Sequence, residues 1–256
     1  MMSNLLELPP ELQLSWSGWL LALLAVSIVG LSKAGIKGLG VFFVTTMAYV
    51  YGSKASTGIV LPLLITADIF AVIYYNRHAQ WSYIFRLLPW VILGVLIATL
   101  VGKDLPEAIF KQGMALIILV SVGLMFWWER KTEKVVPKNI WFTGIMGFLV
   151  GFTTMIGNLA GPVANIFFLS TRLPKTAFIG TAAWLFFIVN IFKMPFHIFS
   201  WGTITADTLA LNLRLIPGIA IGLFVGIRLV NLIQEQHYRQ LILVLTGIGA
   251  LILLLR

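Results

Sequence analysis

The sequence predicts an all-α polytopic membrane protein built from two inverted repeats. Three observations predict it: the composition, a series of apolar segments, and a likeness between the halves of the chain. Of the 256 residues, 59% are hydrophobic and 11% are charged, whereas a soluble domain carries about 25% charged residues. We expect a single membrane domain over 1–256, with repeat 1 at about 18–128, a connector at 129–139 and repeat 2 at about 140–255.

The apolar segments number ten, five on each side of the polar connector. The first two of each half are short: about 14 residues of helix cover roughly 21 Å, against a hydrocarbon core of about 30 Å. We therefore expect each such pair to form a broken helix or a re-entrant hairpin. The ten segments lie at about 18–31, 38–51, 57–75, 87–101, 112–128, 140–152, 160–170, 177–193, 215–230 and 240–255.

The two halves match each other at a nearly constant offset. An offset of 128 pairs Arg-Leu-Leu-Pro at 86–89 with Arg-Leu-Ile-Pro at 214–217. With an odd number of passages or returns in each half, the halves have opposite orientations, as in many secondary transporters. Offsets of 121 or 122 match three further pairs: Gly35 with Gly157, Lys54 with Lys175, and Asp68 with Asn190.

The basic residues predict an orientation in the membrane. With the N-terminus outside, 12 of the 18 lysines and arginines fall on the cytoplasmic side, where such residues are enriched. We expect a multi-pass protein of the cell inner (plasma) membrane. The net charge of +9 is then explained by these loops, and we predict no nucleic-acid partner.

The two breaks within the short segment pairs are the predicted site. A helix that starts inside the membrane presents unpaired N–H groups and a positive dipole end, and two such starts brought together form an anion site. The alternative is that the glycines only allow close helix packing. The candidate substrate-binding residues are Ser32, Lys33, Gly35, Lys37, Gly38, Thr154, Gly157, Asn158, Gly161 and Asn190.

Two lysines lie in the first break. A cation at the centre of the bilayer costs about 3 kcal/mol or more, so a buried one usually has a task. We expect Lys33 or Lys37 to neutralise an anionic substrate, with Lys33 preferred. The alternative is that both side chains extend to the cytoplasmic surface.

Asp68 is an acid well inside an apolar segment, and its counterpart in the second half is Asn190. Two roles are open: a proton carrier that couples transport to a gradient, or an ion pair with Lys33, Lys37 or Lys193. We favour the ion pair, and group Asp68 with Lys193 as coupling or ion-pair residues.

Several chemistries lack the residues they need. The chain contains no cysteine, its three histidines show no metal-ligand spacing, and no Gly-x-x-x-x-Gly-Lys-[Ser/Thr] motif occurs. We therefore predict no cofactor, no metal and no enzymatic activity. The alternatives to a transporter are a passive anion channel and a membrane subunit of a larger complex.

Several motifs together resemble the sulfite exporter TauE/SafE family, from about 18 to 255. They are the two glycine-rich breaks, Lys-Ala-Ser-Thr-Gly at 54–58, Lys-Thr-Ala-Phe-Ile-Gly-Thr at 175–181 and Asn-Ile-Phe-Lys at 190–193. The first break differs, because Ala-Gly-Ile-Lys-Gly-Leu-Gly at 34–40 stands where the family commonly has consecutive glycines and a proline.

The resemblance implies a fold of about eight transmembrane segments and a permease for a small anion. The implied cargo is sulfite, a short organosulfonate or another sulfur-containing organic anion, bound near the midplane between the breaks. The predicted partners are this anion, the lipid bilayer and, as a coupling ion, protons. The oligomeric state is left open.

Overall fold

The computed structural model describes residues 9–129, 139–171 and 173–234, together with 237, 238, 240, 241 and 244. These residues contain α-helices and short helical turns but no β-strand. The helices are α1 (Trp16–Lys33), α2 (Gly40–Tyr51), α3 (Ser53–Tyr75), α4 (Trp81–Lys103), α5 (Glu107–Glu129), α6 (Ile140–Gly157), α7 (Ala160–Ser170), α8 (Lys175–Pro195) and α9 (Ala206–Leu232).

Among the described helices, six are long and apolar enough to cross a membrane: α1, α3, α4, α6, α9, and α8 with the π-turn Phe196–Ser200 that continues it. The two shorter apolar helices, α2 and α7, are those that follow the breaks. Large apolar side chains such as Leu100 and Leu213 are exposed on the outer surface, as expected where lipid replaces water. The prediction of an all-α, multi-pass membrane protein is confirmed.

Nine of the ten predicted segments coincide with α1 to α9, but several predicted boundaries are wrong. Helix α4 begins at Trp81 rather than at 87, α5 at Glu107 rather than at 112, and α9 at Ala206 rather than at 215. Each of these predicted segments begins only after a charged side chain, whereas the helix itself begins several residues before that charge. Most of the tenth segment and most of the connector lie outside the described residues.

The most extensive helix packing joins α1 to α9 and α4 to α6. Glycines allow the backbones to meet, as small residues do in membrane proteins. A Cβ atom on Gly222 would lie 2.0 Å from the carbonyl oxygen of Ser27, and one on Gly94 would lie 2.2 Å from that of Phe148. These two contacts occur at matching positions, because Gly94 and Gly222 differ by the offset of 128.

Two lysines cap helix ends in the same way. The Lys54 ammonium donates to the carbonyl oxygen of Lys103 at 2.6 Å, where α4 ends. The Lys175 ammonium donates to the carbonyl oxygen of Ile233 at 2.7 Å, where α9 ends. A cation at a helix C-terminus satisfies unpaired carbonyls and offsets the negative end of the dipole. The second helix after each break, α3 or α8, is thus fixed to the end of another long helix.

Candidate functional site

The first break consists of the six residues 34–39 between α1 and α2. Gly35 and Gly38 have φ angles of 129° and 99°, in a region that side-chain-bearing residues rarely adopt. Helices α1 and α2 pack against each other.

Two tyrosines cover the irregular backbone of the first break. The hydroxyl of Tyr75 donates to the carbonyl oxygen of Ala34 at 2.7 Å, and that of Tyr238 donates to the carbonyl oxygen of Gly35 at 2.5 Å. Non-helical backbone inside a membrane needs such internal partners, since lipid provides none.

The second break is much shorter, because only Asn158 and Leu159 separate α6 from α7. Asn158 adopts the left-handed conformation, with φ of 56°, and its N–H donates to the carbonyl oxygen of Thr154 at 2.9 Å. The N–H of Leu159 donates to the carbonyl oxygen of Thr153 at 3.2 Å. These bonds close the end of α6 and turn the chain directly into α7.

A cavity of about 60 Å³ is lined by residues of both breaks. The first residues of α2 and α7 contribute to the lining, so the amino ends of both helices face the same space. Eight of the predicted site residues line it: Ser32, Lys33, Lys37, Gly38, Thr154, Asn158, Gly161 and Asn190. Gly35 and Gly157 lie in or beside the breaks but outside the lining.

Lys33, Asp68 and Asn190 form a buried chain of contacts beside the cavity. The Lys33 ammonium lies 2.6 Å from Asp68 Oδ1, and Asn190 Nδ2 donates to Asp68 Oδ2 at 2.7 Å. Asp68 is completely buried. Of the three lysines considered for Asp68, Lys33 is therefore the one in contact, and its positive charge is matched within the protein.

Lys37 differs from Lys33 in having no ion-pair partner among the residues that the structure describes. Its side chain is 4% exposed and lines the cavity, yet it makes no hydrogen bond or ion pair with any residue the structure describes. Its ammonium lies 6.0 Å from the centroid of the Phe186 ring, and that of Lys33 lies 4.7 Å from it. The face of an aromatic ring attracts cations, but it does not neutralise the charge of Lys37.

Lys193 lies behind the cavity wall and not in the lining. Its ammonium donates to Thr154 and to Asn158, both of which line the cavity. Within the described part of the chain, no group of three or more metal-ligating side chains occurs.

Phe186 and Asn165 line the cavity but were not predicted from the sequence. Phe186 precedes Asn190 by four residues on α8, so the two share a helix face, and this spacing could have identified it. Asn165 is a buried amide in the otherwise apolar α7; a polar residue inside a short membrane helix is itself a signal.

Membrane-crossing helices around a small cavity, with two lysines in its wall, define a multi-pass membrane protein with a basic site between its helices. The profile of the family described as "Sulfite exporter TauE/SafE" matches residues 19–253, nearly the whole chain, and the protein belongs to that family. The family is one of membrane transporters for sulfur-containing anions, and this is the protein's general role. No curated protein and no solved structure matches the chain significantly.

Proposed function

We propose that the protein is a secondary transporter of a small anion, sulfite or a short organosulfonate or other sulfur-containing organic anion, which binds in the cavity between the breaks. The observation that carries the proposal is Lys37, a buried ammonium on the cavity wall without a counter-charge among the described residues. A buried charge is costly unless it is paired. A bound anion would supply the missing charge.

The two helix starts support the same assignment. Ala160 and Gly161 open α7, Gly40 and Val41 open α2, and all four line the cavity. The first amides of a helix have no intrahelical partner and stabilise an anion through hydrogen bonds and the dipole. Together with Lys37, they provide donors from both halves of the chain.

The size of the cavity favours a compact anion. A volume of about 60 Å³ is well below the roughly 300–1,000 Å³ of pockets for drug-sized ligands. One oxyanion, or a few waters in its absence, fills such a space. Within the proposed substrate class, sulfite and the shortest organosulfonates therefore fit best.

We also propose that the halves are inverted repeats that meet at the cavity, in the inner membrane. The support is reciprocal packing: α1 lies on α9 as α6 lies on α4, and α3 lies on α8. The corresponding helix-end contacts of Lys54 and Lys175 also support this relation between the halves.

Because the chain has no native cysteine, single cysteines test the orientation in intact cells. Asp104→Cys should label with an impermeant maleimide and Arg77→Cys should not; the reverse pattern contradicts the proposed orientation.

We propose that transport draws its energy from a gradient, from substrate exchange or from a separate ATPase subunit, and that Asp68 is a structural residue rather than a coupling residue. Its carboxylate already has two partners, Lys33 and Asn190, which supports an ion-pair role over that of a proton carrier.

A ligand screen on the purified protein tests the substrate site. Sulfite, sulfate, thiosulfate, taurine, isethionate, sulfoacetate and simple carboxylates are compared by thermal shift, since a ligand that binds the folded state raises its melting temperature. Lys37→Met should weaken binding of the best ligand by about 1.5–3 kcal/mol, the range for a hydrogen bond to a charged group. Lys111→Met, on the exposed surface of α5, is the matched control. Equal affinity in both variants removes Lys37 from the site.

A further inference from the structure

Lys193 is held by three uncharged oxygens. Its ammonium donates to the carbonyl oxygen of Thr154 at 2.9 Å, to Thr154 Oγ1 at 2.9 Å and to Asn158 Oδ1 at 2.8 Å. An ammonium has three N–H donors, so these contacts use all of them. No carboxylate in the described part of the chain lies within ion-pair distance of Lys193.

The arrangement is that of a monovalent cation in an oxygen cage at a helix end. Thr154 and Asn158 belong to the last turn and the cap of α6, where the helix dipole favours a positive charge. Lys193 itself comes from α8 and is completely buried. The charge therefore reaches the end of α6 from another helix, and no ion from solution is needed there.

The cage residues are also residues of the cavity wall. Asn158 accepts from Lys193 through Oδ1 and donates through Nδ2 to the carbonyl oxygen of Thr57 in α3, at 3.1 Å. Lys193 thus links the second break to α8, and Asn158 links it to the first half of the chain. Without the ammonium, Thr154 Oγ1 and Asn158 Oδ1 would lose the donor that holds them.

We propose that Lys193 is a positioning residue for the anion site: its ammonium is a built-in monovalent cation that fixes Thr154 and Asn158, and a free alkylammonium can replace it. The inference rests on the proposed anion site for its consequence, but the cation cage can be tested without any anion. It assigns the cage a ligand class, primary ammonium ions.

Two variants of Lys193 separate the charge from the volume of the side chain. Lys193→Ala removes the atoms of n-propylammonium and leaves space for it, whereas Lys193→Met removes the charge and keeps the space filled. We expect both variants to melt at a lower temperature than the wild type. Added n-propylammonium should raise the melting temperature of Lys193→Ala but not that of Lys193→Met or the wild type, and n-propanol should not replace it.

Anion binding is then measured with sodium sulfite at fixed ionic strength. Lys193→Met should bind sulfite at least about tenfold more weakly than the wild type, a loss of about 1.4 kcal/mol, because Thr154 and Asn158 are no longer held in the cavity wall. In Lys193→Ala, n-propylammonium should restore sulfite binding.

Wild-type affinity in Lys193→Met, or an equal effect of the amine on all three proteins, overturns the proposal. If Lys193→Ala cannot be purified, the affinity of Lys193→Met decides by itself. A failure of the proposed function looks different: the wild type would show no sulfite-induced shift, while n-propylammonium would still stabilise Lys193→Ala.

Discussion

The two breaks differ in length and in the source of their positive charge. The first spans six residues and requires two glycines with positive φ, with Lys33 directly before it and Lys37 within it. The second spans two residues, turns on Asn158, and receives the ammonium of Lys193 from α8. The two breaks therefore offer different chemistry, and the cavity between them is chemically asymmetric.

The asymmetry extends to the charges around the cavity. Lys33 is paired with Asp68 and Lys193 contacts three neutral oxygens, whereas Lys37 has no hydrogen-bond or ion-pair partner for its ammonium among the described residues. On the proposed assignment, Lys33 stabilises the fold, Lys193 holds the cavity wall and Lys37 binds the ligand.

The largest expected effect comes from breaking the ion pair beside the first break. Asp68→Asn leaves the Lys33 ammonium buried without its partner, and removing one member of a buried pair costs about 3–5 kcal/mol. The free energy of unfolding, followed by chemical denaturation in detergent, should fall by that amount, and binding and transport should fall with it.

The double variant Lys33→Met/Asp68→Asn provides the control for this experiment. It removes both charges, so much of the lost stability should return. A stable Asp68→Asn protein that exchanges substrate but cannot concentrate it would instead identify Asp68 as a coupling residue.

Alanine substitutions of one glycine in the first break and one beside the second break should have different effects on stability and on anion binding. Gly35→Ala places a Cβ 2.8 Å from Ile179 Cδ1 at a φ of 129°, so we expect a loss of about 1–3 kcal/mol in stability. Gly161→Ala meets no atom within 4 Å but extends into the cavity lining. It should keep the wild-type melting temperature and weaken anion binding.

For both glycine variants, the melting temperature measures stability, and its shift on adding sulfite to the same samples measures anion binding. A Gly161→Ala protein that binds sulfite as well as the wild type would show that the ligand does not approach the start of α7.

The smallest expected effect comes from the two lysines that cap helix ends, a feature found in both halves of the chain. Lys54→Met and Lys175→Met each remove an ammonium from a helix C-terminus, which is worth about 0.3–1 kcal/mol. If the halves are related repeats, the two losses in melting temperature should be similar. A lower melting temperature in only one of the two variants would show that the halves do not share this stabilising contact.

The helices and the positions of the breaks were predictable because they depend on local properties, namely apolar length and glycine content. Seven of the eight predicted site residues that line the cavity lie in or beside the breaks, because each break concentrates polar groups within a few positions; the eighth, Asn190, lies on α8. The sequence offset between the two halves also paired Asp68 with Asn190, and these two side chains are in direct contact.

Long-range partners could not be predicted in this way. The sequence offers Asp68 three lysines, and only the packing of α1 against α3 selects Lys33. The contact of Lys193 with Thr154 spans 39 positions and depends on how α8 passes the end of α6. Helix boundaries were misplaced because membrane helices continue through charged residues such as Arg86 and Arg214.

The bond from Tyr238 to Gly35 joins positions 203 residues apart, which has a consequence for biosynthesis. At about 5–20 residues per second, the donor emerges from the ribosome roughly 10–40 seconds after its acceptor. During that interval Tyr75, but not yet Tyr238, is present to donate a hydrogen bond to the backbone of the first break. Chains stopped before Tyr238 should therefore remain open to protease near Gly35, and pulse-labelled nascent chains would show the time at which this protection is acquired.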